Sequence, residues 1–158
     1  MYGRCPAILR LNPFSKDQSR EFLTRGFKEC SVPISGEEVN EVIEILNGYP
    51  GWLTYYGNFR CIRGFDHQGV LERVYNEGKK VMLEELNRFL RNKKNKVKYI
   101  EILENLPARW SELGRKIKVP GKILRDMPKN LQDAMLIEKI GMTYIIPDPV
   151  LKKLVLEL

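Results

Sequence analysis

The sequence predicts a mainly α-helical protein that carries a small β-hairpin near its end. Three observations point to this. Apolar residues recur at three- and four-residue spacing through most of the 158 positions, the signature of helices with one buried face. Two boxes of the Ser-x-x-Gln/Glu type, Ser15 with Gln18 and Ser35 with Glu38, mark helix starts, because the serine oxygen and the later side chain satisfy each other's free backbone N–H groups. Apart from an opening run at 7–11, β-rich stretches occur only at 136–140 and 142–146, joined around Gly141.

Taken in order, Ala7-Ile8-Leu9-Arg10-Leu11 reads as a short strand, and Asn12-Pro13-Phe14 turns it into the helix capped by Ser15, with Phe22, Leu23 and Phe27 on one face. The second box follows Val32-Pro33-Ile34; its helix carries Val39, Val42, Ile43 and Leu46 and stops at Asn47-Gly48. Pro50 suits a first helical position, where the missing N–H has no intrahelical acceptor anyway, so the third helix runs from about Gly51 to Cys61. A loop at 64–68 leads to a long helix over 69–92, with Gly78 as a candidate bend and Leu71, Val74, Tyr75, Met82, Leu86, Phe89 and Leu90 as its apolar stripe. The polar run Arg91-Asn92-Lys93-Lys94-Asn95-Lys96 is the expected boundary between a domain at 1–90 and another at 91–158.

Past that boundary the expected order is helix, helix, helix, hairpin, helix. Tyr99, Ile100, Leu103 and Leu106 give the first face, ended by Pro107, and Trp110, Leu113 and Ile117 the second. The third helix follows Pro120-Gly121, with Leu124, Leu131 and Met135 as its apolar positions, and Pro147-Asp148-Pro149 opens a closing helix after the hairpin. Three helices with a terminal two-stranded wing make a winged helix-turn-helix.

Composition narrows the function. With 43% hydrophobic and 30% charged residues, the chain is globular. No apolar stretch approaches the ~20 residues of a spanning helix, and Met1-Tyr2-Gly3-Arg4-Cys5-Pro6 lacks the apolar core of a signal peptide, so no membrane partner and a cytoplasmic location are expected. Cys5, Cys30 and Cys61 lie far apart in sequence and read as free thiols. The only histidine, His67 in Asp66-His67-Gln68-Gly69, reads as part of a surface turn; no standard zinc spacing can be written, and any His-dependent nucleophile would have to use His67.

Two phosphate-loop decoys fail. Gly78-Lys79 is followed by Lys80 and preceded by Arg73 at the first glycine position, while Gly121-Lys122 is followed by Ile123 and has Lys116 there. No hydrophobic strand ends in paired acids to hold magnesium, so ATP hydrolysis by this chain alone is not expected. Glu37/Glu38 and Glu84/Glu85 are neighbours on helices, diverge by about 100 degrees and read as solvated faces. No catalytic, metal or independent cofactor site emerges.

Charge separates the halves. Residues 1–90 hold 12 Lys/Arg against 12 Asp/Glu, whereas 91–158 hold 15 against 8, which accounts for the whole net charge of +7. Such asymmetry points to nucleic acid, an anionic surface or an acidic protein.

One stretch is distinctive: Gly48-Tyr49-Pro50-Gly51-Trp52-Leu53-Thr54-Tyr55-Tyr56-Gly57. Together with Tyr2-Gly3-Arg4, Leu9-Arg10-Leu11-Asn12-Pro13-Phe14-Ser15 and Phe22-Leu23-Thr24-Arg25-Gly26-Phe27-Lys28-Glu29, it resembles the archaeal AAA-type ATPases of the signal-transduction (STAND) class. The likeness is strong over 2–57 and weaker from 96 to 158, where it includes Leu136-Ile137-Glu138-Lys139 and Tyr144-x-x-Pro147-Asp148-Pro149. The resemblance implies a strand leaving a nucleotide-binding core, a helical lid-type bundle, and a winged-helix domain. It implies that the Gly-x-Pro turn faces adenine, which carries Gly48 and Pro50 over as cofactor-binding positions. It also implies that the core with the phosphate loop lies outside this chain, a truncated product or a fragment, with ATP or ADP bound only in the context of a complete ATPase. Without that resemblance, Gly48 and Pro50 read as a helix stop followed by a helix start.

Contact with double-stranded DNA is the expected role of the second half. Arg115, Lys116, Lys118, Lys122, Arg125 and Lys129 surround its second and third helices, and Lys139 lies on the wing. Pro128 is expected to interrupt a helix begun at Gly121, so that the groove-facing helix starts after Asp126 and presents Lys129, Asn130, Gln132 and Asp133 to bases. The alternative is a protein-interaction module that docks on an ATPase core or another partner.

Overall fold

The computed structural model describes residues 12–158; the expected strand at 7–11 lies outside the described residues. Local chemistry sets the first helices where the sequence placed them. In α1 (Lys16–Glu29) the Ser15 hydroxyl accepts from the Gln18 N–H at 3.2 Å while the Gln18 side chain accepts from the Ser15 N–H at 2.9 Å. Ser35 and Glu38 repeat the arrangement at the start of α2 (Gly36–Leu46). Asn47, in the left-handed region with φ 49°, ends α2, and Pro50 opens α3 (Pro50–Cys61). Leu23, Phe27, Val42, Leu46, Leu53 and Tyr56 from these helices are buried together.

The long helix α4 (His67–Leu90) begins two residues earlier than the spacing suggested, because the Asp66 carboxylate accepts from the Gly69 N–H at 2.9 Å. That N-cap overturns the reading of His67 as a surface turn. The His67 ring is 11% exposed and sits between the Tyr56 hydroxyl, 2.7 Å from Nδ1, and the Glu41 carboxylate, 3.0 Å from Nε2. Glu38 is likewise more than a solvated face, since it accepts from Arg60 at 2.9 Å in a half-buried ion pair joining α2 to α3.

Beyond 91–95 come α5 (Lys96–Glu104), β1 (Ala108–Arg109), α6 (Trp110–Lys116), α7 (Gly121–Asp133), β2 (Glu138–Ile140), β3 (Thr143–Ile145) and α8 (Pro149–Val155). The expected wing is present and gains a third strand: the antiparallel order is β1-β3-β2, with Ala108 opposite Tyr144 and Lys139 also opposite Tyr144 on the other side. Helix α7 corrects a further expectation, for it runs unbroken through Pro128. An internal proline costs about 3 kcal/mol, but Leu124, Met127, Pro128 and Leu131 are all buried on the inner face, and each large apolar side chain so buried contributes about 1.5–3 kcal/mol. Packing outweighs the lost bond. Met135, expected on that face, lies past the helix end with φ 58° and is 69% exposed.

Helix α8 returns to the first half and packs along α4. The Asp148 carboxylate caps α8, accepting from Val150 and Leu151 at 2.8 and 3.0 Å, and also accepts from the Trp52 indole N–H at 3.0 Å. Asn47 donates to the Pro147 carbonyl at 3.0 Å, and Lys79 pairs with Glu157. Gly78 belongs to this junction: a Cβ there would stand 3.0 Å from both Trp52 and Val150, so its role is close approach of α3 and α8 to α4.

These contacts set the outcome of limited proteolysis. Arg91 and Lys94 are exposed in the turn between α4 and α5, the proposed division between 1–90 and 91–158, and trypsin is expected to cut there before it cuts a helical core. The two fragments are expected to co-elute on native size exclusion because α8 stays seated on α4. Fragments that separate under native conditions would show that the junction is too weak to hold them.

Candidate nucleic-acid interface and the turn at Gly48

The winged half displays its cations outward for a simple reason. The buried positions of α7 occupy one side of the helix, which leaves Lys122, Arg125 and Lys129 on the opposite side, all exposed. Arg115 and Lys116 end α6, Lys118 lies in the short turn between the two helices, and all three are exposed. Among the described residues, no ion pair within 4.0 Å takes up any of these six side chains or Lys139. The Lys139 ammonium lies 5.7 Å from the centre of the Tyr144 ring on the neighbouring strand. The start of α7 adds to the field. Pro120 gives no side-chain cap and the first turn holds no acid, so its free N–H groups present partial positive charge.

Two expected residues have contacts away from solvent. Asn130 donates its amide to the Tyr99 hydroxyl of α5 at 2.8 Å, and half-buried Gln132 lines a cleft facing the first half of the chain. The Asn130 amide is thereby turned from the outer face of Lys122, Arg125 and Lys129, whereas Gln132, seven residues past Arg125, borders that face as well as the cleft. Asp126 and Asp133 share the outer face and are exposed, so this face is mixed in charge. Their spacing of four residues from Lys122 and Lys129 made that legible in the sequence.

The turn at Gly48 is the second candidate. Gly48 has φ 72°, its carbonyl accepts from the Phe14 N–H at 2.8 Å, and an added Cβ would lie 2.1 Å from the Phe14 carbonyl oxygen. It therefore fixes the approach of the chain into α1 against the end of α2. Pro50, the first residue of α3, lines a cleft of about 190 Å³ together with Asn12, Pro13, Tyr49, Gln132, Ile137 and Glu138. Tyr49 is pushed well above the ordinary tyrosine range by burial, and further by Asp148 and Glu138, so it remains a neutral phenol. Ligand pockets commonly enclose about 300–1,000 Å³, and this cleft among the described residues is smaller.

Among the described residues no cluster of three or more His, Cys, Asp or Glu could hold a metal, and no helix is long and apolar enough to cross a membrane. No protein-family model matches the chain, and no curated protein matches it. Among solved structures it is similar to a Walker-type ATPase of Pyrococcus abyssi, with 30% sequence identity and a TM-score of 0.77 over 90% of this chain. The chain spans 42% of the length of that protein, and so resembles part of it.

Proposed function

We propose that the chain acts as the lid and winged-helix part of an ATPase of the AAA-type STAND class, without turnover of its own, and that its winged half contacts the phosphates of duplex DNA. The likeness to part of a Walker-type ATPase supports the first statement. The observation that carries the second is the set of seven cations without an ion pair among the described residues, Arg115, Lys116, Lys118, Lys122, Arg125, Lys129 and Lys139, distributed over α6, α7 and the wing. Each phosphate neutralised releases condensed counterions, so affinity falls with salt in proportion to the number of contacts. With Asn130 committed to Tyr99 and Gln132 half-buried beside the cleft, base-edge contacts are few and the phosphate contribution dominates. ATP or ADP would be held only when a phosphate-binding core supplies the remaining contacts, with Pro50 and Gly48 shaping the end of the site.

A titration of a fluorescent duplex against salt tests the DNA reading. The combined change of Lys122, Arg125 and Lys129 to alanine is expected to lower the magnitude of the log-affinity versus log-salt slope by about 2.7, or about 0.9 per contact. Changing Gln132 to alanine should leave the slope in place. A slope untouched by removing all three cations, or no binding at low salt, would favour the second reading, a protein-docking module. That reading has its own support: Met135, Ile140 and Met142 are apolar and 69%, 58% and 73% exposed around the wing, and Asp126 and Asp133 interrupt the basic face of α7.

A further inference from the structure

Two cysteines that are 31 positions apart in sequence meet in space. Cys30 caps the end of α1 and is exposed, Cys61 is the last residue of α3 and is half-buried, and both line the same groove between the two helix ends. Each follows a glycine by one helical turn, Gly26 and Gly57, and neither glycine has another group within 4 Å of where its Cβ would be. The result is an apolar groove of about 140 Å³ between the helices, lined by Phe22, Leu23, Leu53 and Ile62, with both thiols on its wall. No other part of the proposed function uses this pair.

We propose that Cys30 and Cys61 are a thiol pair that a small-molecule disulfide of the glutathione type converts to an intramolecular disulfide, tying the end of α1 to the end of α3. The exposed Cys30 thiol loses its proton to solvent and attacks one sulfur of the oxidant, forming a mixed disulfide and releasing one thiolate, which takes up a proton. Cys61 then loses its proton and attacks the Cys30 sulfur, releasing the second thiol. One disulfide and two protein thiols become one protein disulfide and two small thiols, so atoms and electrons balance. The order follows from exposure. Burial, with the neighbouring Cys30 thiol, pushes Cys61 up to about 11, which leaves it the poorer first nucleophile and gives Cys30 the opening step.

The test uses the full chain, glutathione disulfide at pH 8, alkylation of remaining thiols, and mass spectrometry before and after dithiothreitol. The expected product has lost two alkylatable thiols of its three, yields a peptide joining Cys30 to Cys61, melts higher than the reduced chain, and reverts on reduction. Cys61→Ser is expected to stop at a glutathione adduct on Cys30. In Cys30→Ser, adduct formation at the half-buried Cys61 is expected to be slower than at the exposed Cys30 in Cys61→Ser. A stable adduct on Cys30 in the unsubstituted chain, with Cys61 still alkylatable, would overturn the proposal. So would a disulfide that pairs either residue with Cys5.

Discussion

Gly48→Ala is expected to destabilise the chain by about 3 kcal/mol, the largest effect of any single methyl added here. Two costs combine. An L-residue at φ 72° carries a backbone penalty of about 1–2 kcal/mol. The new methyl would also stand 2.1 Å from the Phe14 carbonyl oxygen, so the segment entering α1 must retreat, losing the Phe14 to Gly48 hydrogen bond, worth about 1 kcal/mol, and part of the Phe14 to Phe22 ring contact at 5.6 Å. For a chain of this length about 3 kcal/mol lowers the melting temperature by roughly 6–12 °C. Gly64→Ala supplies the control: Gly64 has φ 67° but open space around it, so it incurs only the backbone penalty of about 1–2 kcal/mol and should shift melting by about one to two thirds as much. Equal shifts at the two positions, measured by thermal denaturation, would show that the close approach to Phe14 contributes nothing.

The second large effect is expected at Asp148. Its carboxylate serves two N–H groups at the start of α8 and the indole N–H of Trp52 on α3. Removing it as Asp148→Ala deletes an N-cap, worth about 0.5–2 kcal/mol, and strands a part-buried donor, at about 1–3 kcal/mol; a total near 2–3 kcal/mol is expected from denaturant melts. Asp148→Asn separates the contributions, because an amide oxygen still caps the helix while its NH₂ group faces the indole donor. In a double-mutant cycle, Trp52→Phe with Asp148→Asn is expected to show a coupling of about 1–2 kcal/mol. Strict additivity would mean that the indole bond does not link the halves. The co-elution of tryptic fragments gives a second readout, since Asp148→Ala should let them separate at lower denaturant.

Both effects mark the division between what a local pattern carries and what it does not. The two serine boxes, the Asn47-Gly48 stop and the Pro50 start were legible because each depends on groups within three or four positions of one another, and helix ends are satisfied locally. The wing was legible from β-rich runs about Gly141, and the basic character of the second half from counting charges. That Lys122, Arg125 and Lys129 stand i, i+3, i+7 on one helix was not, because Pro128 was expected to divide them.

Only the tertiary structure decided the rest. Pro128 reads locally as a helix breaker, yet the burial of Met127, Pro128 and Leu131 keeps α7 whole. Strand β1 has two residues and no pattern of its own; it exists because β3 lies beside it. His67 reads as a turn residue until Tyr56 and Glu41 are brought to its ring, and Gly78 as a bend until Trp52 and Val150 close on it. Cys30 and Cys61 are unrelated in sequence and line one groove in space. The physical reason is common to all of them: each depends on partners that chain folding alone brings close, such as Trp52 and Asp148 across 96 positions, and a one-dimensional pattern holds no record of a contact whose two sides have independent local preferences.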